Sequence, residues 1–215
     1  MFKLFPSATS HIFLSCSILA LSACSIAKEH HAYISNQGDH TVSVINTRTQ
    51  QLTQTINVGK APVGIAVSAQ LQRAYISNVE SQNITVINTQ NQQVVDTIDI
   101  QGSPVGITLS ADSKLLYVAD WFENRVLAIN TENTHKISVL QVGDAPAGLV
   151  VSPDNQTLYI ANRDSNDVAV VNTADLSIKN RIAVGKHPFG LALSASGKLL
   201  AAVNVQDDTV SIINT

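Results

Sequence analysis

Five residues depart from an otherwise regular sequence in a way that could do chemistry: Trp121, Phe122, Arg163, His187 and Phe189. Aromatic rings joined by a guanidinium bury large area at low entropic cost, so their composition is that of a binding hot spot. A second reading stays open at this level: Trp121 and Phe122 fold down over neighbouring edges, and Arg163 pairs with Asp164 or Asp167. Asp39, Glu80, Glu123, Asp144, Asp207 and Asp208 are expected on the same face. They suit a partner with a basic surface or a simple solvated acidic rim.

Signatures of bond-making chemistry are weak. The sequence contains no Gly-x-Ser-x-Gly, His-Glu-x-x-His, P-loop, dinucleotide fingerprint or Cys-x-x-Cys-His. His30 and His31 lack a third ligand, and His135 is expected on the face opposite His187. Asn36, Asn78, Asp120, Asn162 and Asn204 recur in register and form a ring of side-chain oxygens, the donor type that calcium takes six to eight at a time. Only Asp120 among them is charged, and such side chains at turns commonly bond their own backbone. No catalytic residue, metal ligand or cofactor is assigned.

The elements that must position these residues are written in a repeat. Tyr33, Tyr75, Tyr117 and Tyr159 fall 42 residues apart, with Ala201 in the next slot. Pro62, Pro104, Pro146 and Pro188 keep the same spacing, as do Gly64, Gly106, Gly148 and Gly190. Asn46, Asn88, Asn130, Asn172 and Asn214 hold the register to the end of the chain. A strict period of this length signals a repeat architecture, so residues 31–215 are one array rather than independent domains. The recurrent Tyr, Pro-x-Gly and Asn-Thr positions read as packing and turn residues.

Each unit divides into four short strands. In the second they are Ala74 to Ser77, Ile84 to Asn88, Val94 to Ile100 and Val105 to Ser110; strands are lettered from A, the inner one (Val63 to Ser68 and equivalents), to D, the outer one. Polar or Gly/Pro turns separate them, and Val, Ile, Thr and Tyr fill them. Ile84, Val86 and Ile87 place apolar groups on both faces, as a sheet covered on both sides requires. Four strands in about 42 residues with no helix signal predict an all-β fold, a β-propeller of four-stranded blades. In such a meander the B–C and D–A loops emerge on one face, which brings the five unusual residues together on adjoining blades.

Strand phase sharpens the expectation. The sequence opens on strand B at Ala32 and ends after strand C at Asn214, about four and a half blades, so the first blade lacks its inner strand and the last its outer one. An open arc, a truncated version of a longer ring, is expected; seven repeats in this phase need on the order of 110 further residues.

The first 23 residues read as a secretory signal: Lys3 supplies a positive start, and His11 to Ala20 is an apolar run too short to span a bilayer. Leu21-Ser22-Ala23-Cys24 resembles the lipobox of bacterial lipoproteins, which implies cleavage before Cys24 and its acylation as a membrane anchor. An ordinary signal with an incidental cysteine is the alternative. Residues 24–30 then form a short tether, and by the same resemblance Ser25 implies the outer membrane, facing the periplasm. Cys16 lies in the signal, which leaves Cys24 without a disulfide partner. A net charge of −3, with charged residues at 13% against about 25% in typical soluble proteins, gives no pull toward nucleic acid.

Ala-Tyr-Ile-Ser-Asn, Leu-Tyr-Val-Ala-Asp, Thr-Val-Ser-Val-Ile-Asn-Thr, Val-Gly-x-x-Pro-x-Gly and Ser-Pro-Asp resemble the YVTN-type propeller repeat over residues 31–215. That resemblance implies a propeller, commonly seven-bladed, and says little about substrate. The functional expectation is an envelope lipoprotein whose propeller is a non-enzymatic scaffold binding a protein or a cell-surface polymer. The alternatives are a lactonase-like or cofactor-dependent periplasmic enzyme, and a truncated form without independent function. Loop-tip aromatics favour binding, whereas carboxylates lining the channel favour catalysis.

Overall fold

The computed structural model describes residues 30–215, which form five antiparallel sheets. The first holds β1 (His31–Asn36), β2 (Thr41–Asn46) and β3 (Gln51–Asn57), with one 3₁₀ turn at Gln37–Asp39. The second holds β4 (Pro62–Ser68), β5 (Arg73–Asn78), β6 (Asn83–Asn88) and β7 (Gln93–Asp99). The third holds β8 (Pro104–Leu109), β9 (Leu115–Asp120), β10 (Arg125–Asn130) and β11 (Ile137–Gln141). The fourth holds β12 (Pro146–Val151), β13 (Thr157–Asn162), β14 (Asp167–Asn172) and β15 (Ser177–Ala183). The fifth holds β16 (Pro188–Leu193), β17 (Leu199–Asn204) and β18 (Thr209–Asn214). Among the described residues blade one therefore has no A strand and blade five no D strand, in the phase that the repeat predicts.

Inner-edge contacts run from β1 to β4, β8, β12 and β16, so the blades make an open β-propeller. Each blade has a forward face that packs on the backward face of the next. Tyr117, Ala119, Val126 and Ala128 of blade three meet Leu158, Ile160, Ala169 and Val171 of blade four in one continuous apolar cluster. The same junction joins blade one to two through Val42, Val44, Ala74 and Ile76, and blade two to three through Tyr75, Ile84, Val86, Leu116 and Val118. Blade four meets five through Tyr159, Val168, Leu200 and Ala202. Apolar groups on both strand faces are thus what stacked sheets demand.

The Pro-x-Gly stretches have a local reason. Pairing of A with B slips between Pro62 and Ile65 and at the equivalent places in blades three to five. In blades two to four this irregularity lays the glycine against the inner strand of the next blade, where a side chain has no room. A Cβ on Gly64 falls 2.6 Å from the Val105 carbonyl oxygen, and one on Gly106 collides with the carbonyl of Ala147. Burial raises the Tyr33, Tyr75 and Tyr117 phenols above their usual pKa, as befits packing residues.

Candidate binding face

The B–C and D–A loops do share a face, because they are bonded to each other. The backbone N–H of Trp121 donates to the Ser103 carbonyl, that of Arg163 to Ala145, and that of Val205 to His187. The D–A loops before blades four and five also lean on the preceding blade: Ala145 N–H donates to Asn124 Oδ1 and His187 N–H to Asn166 Oδ1, both at 2.9 Å. These bonds hold Ala145 and His187 in the left-handed region, at φ 49° and 53°. A side-chain acceptor holding such a loop in place offsets the cost of the unusual backbone.

On this frame, blades three, four and five bring four of the five sequence-selected residues together. The rings of Trp121 and Phe189 lie 6.0 Å apart, centroid to centroid, tilted by 52°. The Arg163 guanidinium carbon sits 5.6 Å from the centre of the Trp121 ring. Arg163 also donates to Asp164 Oδ1, and His187 Nε2 lies 3.9 Å from that same oxygen. The two readings of Arg163 are therefore compatible: its pairing with Asp164 fixes the cation beside the indole. Phe122, at 74%, is the most exposed large apolar side chain among the described residues. Cys24 lies outside the described residues.

Phe189 connects this face to the axis. With Val63, Gly64, Val105, Gly106, Ala147, Leu149 and their neighbours it lines a cavity of about 310 Å³ between the inner strands. Its lining is glycine and aliphatic side chains, with Phe189 as its aromatic member and no carboxylate, imidazole or guanidinium. A cavity of about 350 Å³ elsewhere carries Arg73, Asp96 and Glu132, between blades two and three, and involves none of the five residues. Among the described residues no group of three or more His, Cys, Asp or Glu side chains could hold a metal ion.

The recurring Asx positions make bonds within their own blades, while the Asn78 and Asn204 Oδ1 atoms are buried without a hydrogen-bond partner. Asn78 donates to Asn83 and Thr85, Asn204 to Thr209 and Ser211, Asn36 to Thr41 and Ser43, and Asn162 to Asp167. Asp120, fully buried, accepts from Ser103 N–H and Arg125 Nε, both at 2.8 Å. Asp120 and Asn162, which accept from the Ser103 and Gly143 N–H groups, fasten the B–C turn to the D–A loop. Sequence reading offered the pairing of Arg163 with Asp164 but missed the Asn166 prop under His187 and the approach of His187 to Asp164. The signal that could have found the prop is a separation of 21 residues, shared by the Asn124–Ala145 and Asn166–His187 bonds.

A model of the YNCE-like β-propeller family matches residues 4–213. The chain belongs to the YNCE-like β-propeller family. Among solved structures, this YNCE-like chain is similar to a functionally unknown protein from Desulfotomaculum acetoxidans, with 19% identity and a TM-score of 0.76. The likeness covers 86% of this chain and 62% of that one, so this chain spans less than two thirds of its length. Hydrazine synthase from Kuenenia stuttgartiensis matches at 18% identity and a TM-score of 0.47, covering 86% and 92% of the two chains. No curated protein matches the chain.

Proposed function

We propose that this chain is a cell-envelope lipoprotein whose YVTN-type propeller is a scaffold that binds a protein or a cell-surface polymer through the Trp121, Arg163 and Phe189 face. The observation that carries the reading is the contact of ring, cation and ring across three blades. Its parts are held by backbone bonds and an ion pair, so a flat partner meets a surface already ordered, and little entropy is lost on docking. The aliphatic lining of the inner cavity favours binding over catalysis, because it offers no group to move a proton or attack a bond.

The envelope placement rests on Leu21 to Cys24. Acyl chains on Cys24 contribute about 0.8 kcal/mol per buried methylene, and two or more hold a domain at a membrane without a spanning helix. Labelling in cells with a fatty-acid analogue is expected to mark the wild-type chain and not Cys24→Ser. Equal labelling of both removes the anchor.

Trp121 is the single tryptophan of the chain, so its emission reports this face alone. Soluble cell-wall glycan fragments and, separately, a solubilised envelope protein fraction are titrated into the protein. A saturable change in emission is expected with one of them. Arg163→Ala is expected to weaken the response about tenfold, the scale of one lost hot-spot contact. Unchanged emission with both overturns the proposed face.

A further inference from the structure

We infer that this chain associates head to tail with a second copy of itself, the forward face of blade five docking on the backward face of blade one. The inference is independent of the binding face proposed above and rests on the repetition of one interface. Four blade junctions in the molecule join the same two kinds of surface, forward to backward. Among the described residues one half of that junction is left uncovered at each end of the arc.

Blade five supplies the forward half. Ala201 pairs with Ile212 and Val203 with Val210, so these four side chains share one face of the β17–β18 ladder. They hold the same repeat positions as Tyr117, Ala119, Val126 and Ala128, which are buried against blade four. In blade five Val203, Val210 and Ile212 are 46, 55 and 66% exposed. The opposite face of β17, carrying Leu200 and Ala202, is fully buried against blade four.

Blade one supplies the backward half. Ile34 pairs with Ser43 and Ala32 with Ile45, at the positions that Ile76, Thr85, Ala74 and Ile87 occupy in blade two. Those blade-two residues are buried, whereas Ile34 is 49% exposed. The molecule therefore displays both partners of an interface it already makes internally. Five blades hold them at opposite ends of an arc. Because the two surfaces differ, the contact is heterologous and continues from copy to copy rather than stopping at a symmetric pair.

Self-association is measured on the purified full chain by sedimentation velocity over a range of concentrations. Two variants, Ile34→Lys and Ile212→Lys, change exposed side chains and so spare the core, which far-ultraviolet circular dichroism checks. The wild type is expected to grow with concentration into dimers and longer species. Each variant alone is expected to associate about tenfold or more weakly, since a lysine is left facing an apolar surface. An equimolar mixture is expected to form one-to-one dimers and nothing larger, because one intact head and one intact tail remain. Association that survives both substitutions, or a mixture no larger than its components, overturns the proposal. A wild-type monomer at every concentration does so too, and is the outcome when other blades or a different partner cover these faces.

Discussion

Blades three and five are built from one repeat and differ in how much of it is covered. In β9 of blade three Leu116, Tyr117, Val118 and Ala119 are all buried; in β17 of blade five only alternate residues, Leu200, Ala202 and Asn204, are. The two ladders share strand bounds within the repeat and the same pairing register. What separates them is the neighbour on the forward side. Strand formation is thus a property of the unit, whereas the buried core is a property of the junction, as nearest-neighbour energetics of repeat proteins require.

The largest effect that tests this contrast comes from the inner glycines. Gly106→Ala drives a methyl group into the Ala147 carbonyl of the next blade, and a loss of about 3 kcal/mol is expected from such overpacking. Gly190→Ala occupies the same repeat position, but its nearest neighbour is Val203, 3.8 Å away, so a change within about 0.5 kcal/mol is expected. Denaturant unfolding of the two variants decides it. Equal losses break the comparison and place the constraint inside the blade.

A milder contrast uses one residue type twice. Val126 is 1% exposed and Val210 is 55% exposed, at equivalent places in blades three and five. Val126→Ala is expected to cost about 2 kcal/mol through lost burial and the space left behind, and Val210→Ala less than about 0.5. The same unfolding measurement reads both. A substantial loss at Val210 means that its face is covered in solution, which sharpens the case for a partner there.

The smallest effect lies in the A–B turns. In blades three and four, Asp112 and Asp154 accept from the Ser110 and Ser152 hydroxyls and from backbone N–H groups, which hold both carboxyls below the usual value of 3.8. In blade five the same place is a contact between the Ser194 and Ser196 hydroxyls. A carboxyl whose pKa is lowered by folding stabilises the fold above its unfolded pKa, and that contribution is lost as pH falls through the folded value. Amide exchange is therefore expected to speed up, relative to the intrinsic rate, at residues 111–115 and 153–157 below about pH 4, and not at 195–199. Equal acid sensitivity in all three turns removes the role of the carboxylates.

The grouping of residues on the proposed face was partly legible in the sequence because they break a pattern that the other units keep. Trp121, Arg163, His187 and Phe189 stood out against the valines, alanines and glutamines of equivalent slots, and loop phase put them on one face. Their contacts were not legible. Whether Trp121 stacks on Phe189, on Phe122 or on a blade edge depends on side-chain torsions and on the radius of the inner ring, and neither leaves a periodic trace. The Asx positions went the other way: they recur in plain view along the chain, but their partners at Thr85, Arg125 and Ser211 could be named only from the fold.

The sequence by itself determined the 42-residue period, the four strands of each unit, their phase and the shared face of the B–C and D–A loops. These follow from hydrogen bonding and turn chemistry between residues close along the chain, which every repeat restates. Only the tertiary structure decided which face of each terminal blade is bare, which glycines are pressed against a carbonyl, and that Arg163 serves Trp121 and Asp164 at once. Those outcomes depend on the curvature with which one blade lies on the next, and that curvature is the sum of many small packing contacts rather than the property of any one residue.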